Sequence, residues 1–359
     1  MQIGALQIGV VTSERNGVWV CMEDLYERLE VSPRASEGVI DAAYKALMKR
    51  VHPDHHMTVS GQRARGLNEA RDTLLDPARR VQYNRERNQI GGIVLGEFRV
   101  DEPIAEGGFG KTYKGTHLTV NAPVCIKHCS EISATDAAIL IEEALAMWDL
   151  RHFAIPAVRN LLKLDDGSLA LVMSYIEGPT LEQVIEKQQA TTRKRFDPEH
   201  VAWILERLLN VLSYMHRHGV VHGDIKPQNI IIQPRSHTVV MVDFGLAAIK
   251  PTRTTGSKGY TELFAPPEQE RGRPLLPQTD FYSLAMTMLF ALNGGDADRT
   301  ARQQVPSHVP DHLCAFLRRM LVRDPLSRPD WQNENLMDTI RAVRSTAFGR
   351  VNSGMKPLL

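Results

Sequence analysis

The spacing of apolar residues changes once along this chain, across residues 89–96, and that change rules out one uniform fold. Before it the period is helical. Ile40, Tyr44, Leu47, Met48 and Val51 form one stripe, and Leu67, Ala70, Leu74 and Leu75 form another, which predicts two packed antiparallel helices. Ser36 is placed to cap the first helix, and Pro53 interrupts its pattern, so an exposed turn falls at His52 to Asp54. After Gly91 and Gly92 the period becomes alternation, at Phe98 to Ile104 and at Thr112 to His117, which predicts strands. Strand-like segments at Val124 to Lys127 and Leu169 to Met173 flank a helical stretch from Ala137 to Leu150, and helical patterns dominate beyond Leu181. At 359 residues the chain exceeds the usual size of a single core. The expected fold is therefore multidomain: a small all-α module over 22–87, a linker over 88–97, and an α+β bilobal module over 98–345. The latter divides into a sheet-rich lobe followed by a helical one. Residues 1–21 carry no interpretable motif and are expected to be a flexible extension, and 346–359 a tail. No fixed-period repeat is present, which excludes a solenoid or propeller.

With 43% hydrophobic and 24% charged residues the chain has material for real cores and no low-complexity block. A net charge of +1 gives no long-range attraction to nucleic acid or to an anionic membrane, so neither is expected as a partner. Cys21, Cys125, Cys129 and Cys314 form no Cys-x-x-Cys pair, which fits a reduced, cytoplasmic setting. Phe281 to Leu292 is too short and too mixed for a bilayer span and reads as a buried core helix. Glu14 and Arg15 interrupt the only hydrophobic stretch near the start, so no export signal is expected.

Four segments carry phosphate chemistry. Ala105 to Gly110 offers glycines (Gly107, Gly108, Gly110) that let backbone N–H groups approach phosphate oxygens with no Cβ in the way. Lys111 to Gly115 alternates like a strand, so the glycines sit in a hairpin lid and not at the start of a helix. Lys127 ends an apolar strand, where an ammonium needs anions; Glu142 or Glu143 and a nucleotide's phosphates can supply them, the alternative being a surface lysine. In Val221 to Asn229, Asp224 can accept a hydroxyl proton, Lys226 can neutralise a transferring phosphoryl group, and Asn229 can ligate Mg²⁺. A β-branched strand, Val239 to Val242, then delivers Asp243 as a second hard oxygen ligand beside Gly245.

Taken in order, these segments resemble the eukaryotic-type protein kinase family, from about Phe98 to about Ala342. The resemblance implies a bilobal fold with an antiparallel-sheet N-lobe (98–173), a hinge (174–178) and a helical C-lobe (179–345), ATP and Mg²⁺ as cofactors, and a protein substrate. It makes Lys127 the strand lysine and Glu143 its helix partner, since Glu143 precedes Ala-Leu-Ala-Met-Trp-Asp-Leu-Arg-His. It places Ala105, Gly107, Gly108, Gly110, Thr112, Cys125, Lys127, Met173 (the gatekeeper), Ser174 and Ile176 (the hinge) and Ile231 around the nucleotide, and Asn229 and Asp243 on the metal. The Asp-x-Lys-Pro-x-Asn form resembles the serine/threonine branch, with Thr261 orienting Asp224 and Lys226. Glu268 and Arg328 resemble the family's buried ion pair, and Asp280 its catalytic-loop anchor, the alternative for Asp280 being a helix cap. The sequence departs from the family at Ala105, at Thr112, at Gly223 in place of an arginine, at Pro266, and over Gly294 to Pro310, which is short. The missing arginine implies that phosphorylation of the activation segment, where Thr252, Thr254, Thr255 and Ser257 lie, need not control activity. The rival expectation, resting on the departures, is a pseudokinase scaffold.

In the first module, His52-Pro53-Asp54 ends a helix bearing Lys45, Lys49 and Arg50. With Asp24-Leu25-Tyr26, Asn68-Glu69-Ala70 and Asp76-Pro77 to Tyr83, the stretch from Met22 to Arg87 resembles the J domain of DnaJ-type co-chaperones. That implies docking and stimulation of a DnaK-type chaperone, through His52, Pro53 and Asp54 with Lys45, Lys49 and Arg50 meeting an acidic surface. His55 and His56 have no accompanying cysteine or carboxylate cluster, so no metal is expected there.

Overall fold

A computed structural model of the chain describes residues 10–15, 18–23, 25–32, 35–50, 57–89, 94–107, 110–129, 134–164, 167–192, 196–252 and 254–349. They fall into two compact units. One comprises the described residues up to Ile104 with Tyr113–Pro123, the other Ala105–Thr112 with the described residues from Val124 onward.

The first unit opens with a hairpin, β1 (Val10–Arg15) against β2 (Val18–Glu23), in the register Val10↔Glu23 to Arg15↔Val18. This corrects the expectation of a flexible extension: valines at 10, 11, 18 and 20 favour the extended backbone, and the pairing gives its amides partners. Helices α1 (Leu25–Arg28), α2 (Glu37–Arg50), α3 (Met57–Leu74) and α4 (Pro77–Gln89) follow. Apart from Val51, which lies outside the described residues, the stripes meet as expected: Leu25, Tyr26, Leu29, Ile40, Leu47, Leu67, Ala70, Leu74 and Tyr83 form one core, with Tyr44, Met48 and Leu75 at its margin. Asp76 starts α4 by accepting from Ala78 N (2.9 Å) and Arg79 N (3.0 Å), and Pro77 at the first helical position costs no hydrogen bond. Helix α4 is fastened by Arg80, which donates to Tyr26 Oη (3.0 Å) and Ala35 O (2.8 Å), and by Tyr83 Oη, which accepts from Leu25 N (2.8 Å). The turn at His52, Pro53 and Asp54 lies outside the described residues.

Within the span read as a linker, β3 (Val94–Leu95) pairs with β4 (Phe98–Gly107) through a turn at Gly96, whose φ is +62°. Strand β5 (Gly110–His117) is the next neighbour of β4.

In the second unit, β6 (Ala122–Cys129), β7 (Val158–Lys163) and β8 (Leu169–Ser174) are antiparallel neighbours in the order β6-β8-β7. Register sets Lys127 opposite Leu171 and Cys125 opposite Met173. Helix α5 (Ala134–Trp148) packs on β7 and β8, starting three residues before the apolar pattern indicates. The helical part contains α6 (Leu181–Thr192), α7 (Pro198–Arg217), α8 (Pro267–Glu270), α9 (Pro277–Leu292), α10 (Ala297–Ala301), α11 (Asp311–Met320) and α12 (Leu336–Phe348). Helix α7 packs against α9 and α12, and Phe281, Leu284, Ala285, Met288 and Leu292 of α9 are wholly buried, as the mixed apolar run requires. Short strands β9 (Val220–Val221), β10 (Ile230–Gln233), β11 (Thr238–Met241) and β12 (Ala248–Ile249) pair as β9 with β12 and β10 with β11, which brackets the two loops of interest. Among the described residues no helix is long and apolar enough to cross a membrane.

Candidate active site

The loop from His222 to Asn229 leaves β9 and is held from below by Asp280. Asp280 Oδ2 accepts from His222 N (2.9 Å) and Oδ1 from Gly223 N (2.9 Å). His216 Nε2 lies 2.8 Å from Asp280 Oδ2, and its Nδ1 receives the Trp331 Nε1–H at 2.8 Å. An accepting Nδ1 fixes the imidazole proton on Nε2, aimed at Asp280. The cap of α9 is Leu276, so Asp280 anchors the loop and does not cap the helix.

Asp224 is thereby presented with both oxygens engaged. Thr261 Oγ1 donates to its Oδ1 (2.6 Å), Lys226 Nζ lies 2.7 Å from its Oδ2, and Lys226 also donates to Thr261 Oγ1 (3.0 Å). Asn229 Nδ2 donates to Asp224 O (2.9 Å) and Oδ2 (3.1 Å). A carboxylate beside an ammonium and a hydroxyl, on a loop pinned at its base, is suited to accepting a proton from an incoming alcohol.

Lys127 is 7% exposed, which removes the surface-lysine alternative. Its Nζ lies 2.7 Å from Glu143 Oε2 and 2.8 Å from Asp243 Oδ1. Of the two acids on α5, Glu143 takes this role, while Glu142 lies 2.5 Å from Lys258 Nζ. Burial pushes the Glu143 carboxyl above the usual range, against the pull of Lys127. Burial alone would raise Asp243 too, but the Lys127 ammonium, aided by His222 and the Gly245 N–H, holds it below the ordinary value. For Lys127 burial works against the charge, and the two carboxylates outweigh it and raise its pKa. The Cys125 thiol is pushed up to about 12, chiefly by burial, so it stays protonated.

Asp243 adopts φ +62°, a left-handed conformation rare for aspartate, and Val242 N donates to Asn229 O (2.9 Å), which ties the two loops together. Because Asn229 commits its Nδ2 to Asp224, its amide oxygen is turned away from that carboxylate. Asn229 Oδ1 and the Asp243 carboxylate are hard oxygen donors, the set Mg²⁺ takes, so the residues fit that ion.

The glycine segment is only partly described: Gly107 closes β4, Gly110 opens β5, and Gly108 lies outside the described residues. Gly110 has φ +118°, and a Cβ there would stand 2.3 Å from His128 O, so packing against β6 demands a glycine independently of any phosphate. Ala105 lies in β4 and is exposed; Thr112 is half-buried in β5. Met173 is buried, with Cys125 opposite it. Ser174 N donates to Ala157 O (2.9 Å) and its Oγ accepts from Ala157 N (2.9 Å), which fixes the end of β8 just before Ile176. Ile231 pairs with Val240 and bridges to Thr180.

Arg328 holds Glu268 through two bonds, Nη1 to Oε1 at 2.6 Å and Nη2 to Oε2 at 2.8 Å, both side chains buried. Thr252 Oγ1 lies 3.0 Å from the hydroxyls of both Thr254 and Thr255. In the first unit, Lys49 is exposed and Lys45 Nζ sits 2.6 Å from Asp41 Oδ2, so the expected cationic face carries an acid; the Arg50 side chain lies outside the described residues. Sequence reasoning missed Lys258, Gln269 and the His216–Trp331 pair, because each acts through a partner distant in sequence and none belongs to a periodic pattern.

A buried lysine–glutamate pair, a hydroxyl-held aspartate and two oxygen donors on adjoining loops define a phosphoryl-transfer fold. The sequence matches the protein kinase domain family over residues 98–338, and the chain belongs to that family. Residues 24–84 match the DnaJ domain. Similar proteins include serine/threonine-protein kinase D of Synechocystis sp., 32% identical over 298 residues (74% of this chain, 54% of that one). Serine/threonine-protein kinase pkn3 of Myxococcus xanthus is 29% identical over 218 residues (57% and 39%), and serine/threonine-protein kinase PkaA of Streptomyces coelicolor 29% over 290 residues (72% and 52%). The chain spans about two fifths to about half the length of these relatives.

Proposed function

We propose that this chain is a serine/threonine protein kinase that transfers the γ-phosphoryl group of ATP to protein hydroxyls, and that its J domain recruits and stimulates a DnaK-type chaperone. The observation that carries the kinase reading is the joint presence of Thr261, Lys226 and Asn229 on Asp224 and of Glu143 and Asp243 on Lys127. In this reading Asp224 accepts the proton of the serine or threonine hydroxyl as its oxygen bonds to the γ-phosphorus and ADP departs. Lys226 offsets charge on the transferring group, and Lys127, held by Glu143, orients the α and β phosphates. Asn229 and Asp243 would hold Mg²⁺, which when bound would neutralise phosphate charge. Ala105, Gly107, Gly108, Gly110, Thr112, Cys125, Met173, Ser174, Ile176 and Ile231 enclose the nucleotide. We assign the J domain to 22–87 and the kinase to 98–345, with a cytoplasmic setting. His52, Pro53 and Asp54, with Lys45, Lys49 and Arg50, meet the chaperone.

The test is transfer of labelled phosphate from Mg-ATP to the chain itself and to a generic substrate. Labelling on serine and threonine that vanishes in Asp224→Asn and Lys127→Met supports the reading. Labelling no greater than in those variants, with folding confirmed, overturns it in favour of a kinase-fold scaffold.

A further inference from the structure

The residue that stands where the family carries an arginine, Gly223, brings no side-chain cation to a phosphorylated segment, yet Ser257 to Gly259 of that segment are tied to the catalytic loop. Gln269 makes the tie. It is 2% exposed and lies on α8, next to Glu268, which Arg328 clamps with two bonds. The Gln269 Nε2 donates to Gly223 O (2.7 Å) in the catalytic loop, and to Gly259 O (3.0 Å) and Ser257 Oγ (3.2 Å) in the activation segment. Two of those acceptors are carbonyls, which can only accept, so the amide must present its nitrogen to them.

A second tie lies beside the first. Lys258, between the two segment residues that Gln269 holds, donates to Ala247 O (2.9 Å) and pairs with Glu142, the neighbour of Glu143 on α5. Two residues beyond Gly259, Thr261 bonds Asp224. Holding 257–259 against Gly223 therefore fixes both sides of the Thr261–Asp224 contact, one from each strand of backbone.

We propose that Gln269 is a positioning residue: it carries the rigidity of the Glu268–Arg328 anchor to Gly223 and to 257–259, and so sets Thr261 against Asp224 with no phosphate on the segment. The inference rests on the kinase reading for its catalytic consequence, but not for its structural one. Gln269 touches no nucleotide-side group, so its loss lowers kcat and weakens protein-substrate binding while leaving KM for ATP in place.

Gln269→Met keeps the shape and removes every donor, and Gln269→Glu turns the donor into an acceptor facing two carbonyls. Expected for Gln269→Met in the full chain is a kcat lower by about tenfold or more, as loss of two or three buried hydrogen bonds implies, with KM for ATP unchanged. Amide hydrogen exchange across 255–265 accelerates while the rest of the kinase module keeps its protection. For Gln269→Glu, a buried carboxyl among carbonyls has a raised pKa and donates only when protonated. Its activity relative to the parent therefore recovers as pH is lowered from about 8 to about 6. Unchanged exchange across 255–265 in Gln269→Met overturns the proposal, and it does so even if the parent chain transfers no phosphate and the kinase reading has failed. Should Gln269→Met unfold, Gln269→Glu decides: a defect equal at both pH values overturns the proposal.

Discussion

Replacing Lys127 with methionine tests how the buried charges of the site are balanced. The ammonium is the shared partner of Glu143 Oε2 at 2.7 Å and Asp243 Oδ1 at 2.8 Å, so the substitution leaves two carboxylates facing each other without a cation. Asp243 has 40% of its side chain exposed and can be hydrated, whereas Glu143 has 1% and, among the described residues, retains only the Phe244 N–H at 3.3 Å. The penalty therefore concentrates on Glu143, and removing one partner of a buried pair costs about 3–5 kcal/mol.

The sign with pH follows from the Glu143 carboxyl, which burial already holds above its ordinary value. Loss of Lys127 raises it further. Below the ordinary carboxyl value both folded and unfolded chains hold the Glu143 proton and the penalty is absent; it grows as pH rises from there to the raised native value, because the unfolded chain releases its proton first. Urea unfolding of the parent, Lys127→Met and Lys127→Met/Glu143→Gln, followed by tryptophan fluorescence, reads this out, since Trp148, Trp203 and Trp331 all lie in the kinase module. The single variant should lose more stability at alkaline than at acidic pH, and the double variant should recover about 2 kcal/mol or more of it at alkaline pH. A double variant no more stable than the single, or a penalty independent of pH, would refute the reasoning.

The joint change of Thr252, Thr254 and Thr255 to alanine should leave transfer rates within about twofold of the parent, because their hydroxyls bond one another at the surface; a larger loss would show that their modification matters. Arg80→Ala removes bonds to Tyr26 Oη and Ala35 O and should cost about 1–3 kcal/mol locally, seen as faster exchange in α4 of the full chain. His52→Gln should abolish stimulation of a DnaK-type ATPase and leave phosphoryl transfer unchanged, which separates the two activities. Gly223→Arg and Gly223→Ala should impair transfer alike, since φ is +75° and any Cβ meets Leu246 O at 2.8 Å, with strain alone worth about 1–2 kcal/mol. An arginine variant that outperforms the alanine one would refute this.

Period and punctuation carried most of the fold. The stripes through Ile40 and Leu67 and the alternation after Phe98 each report one face of one element, and burial acts on faces. The hairpin over 10–23 was illegible because six-residue strands broken by Glu14 and Arg15 show no clean alternation. Val94 and Leu95 were lost in a glycine-rich stretch for a similar reason: two residues are too few to show a period. Lys127, Asp224, Asn229 and Asp243 stood out in the sequence because phosphate chemistry draws on such side chains at loop and strand ends, and the fold brings them together on adjoining elements. The choice between Glu142 and Glu143 was not resolved by residue type, since adjacent helical positions point about 100° apart and only the packing of α5 says which faces the strand.

The departures from the family pattern look different once their backbone is known. Gly223, from sequence, is an arginine lost. In the fold its left-handed φ brings its carbonyl to Gln269 and its N–H to Asp280, a placement a side-chain-bearing residue adopts only under strain. Pro266 is likewise no defect: it precedes Pro267 at the first position of α8, and its carbonyl accepts from Gln269 N, which starts the turn that aims Glu268 at Arg328 and Gln269 at the catalytic loop. Each irregular position thus supports its neighbour. Gly223 frees a carbonyl, Gln269 takes it, and Pro266 and Pro267 set the turn from which Gln269 reaches. Together these four residues form one alternative way of holding Asp224 in place, so changes at Gly223 and Gln269 should couple and not add, because the second removes an interaction the first has already broken.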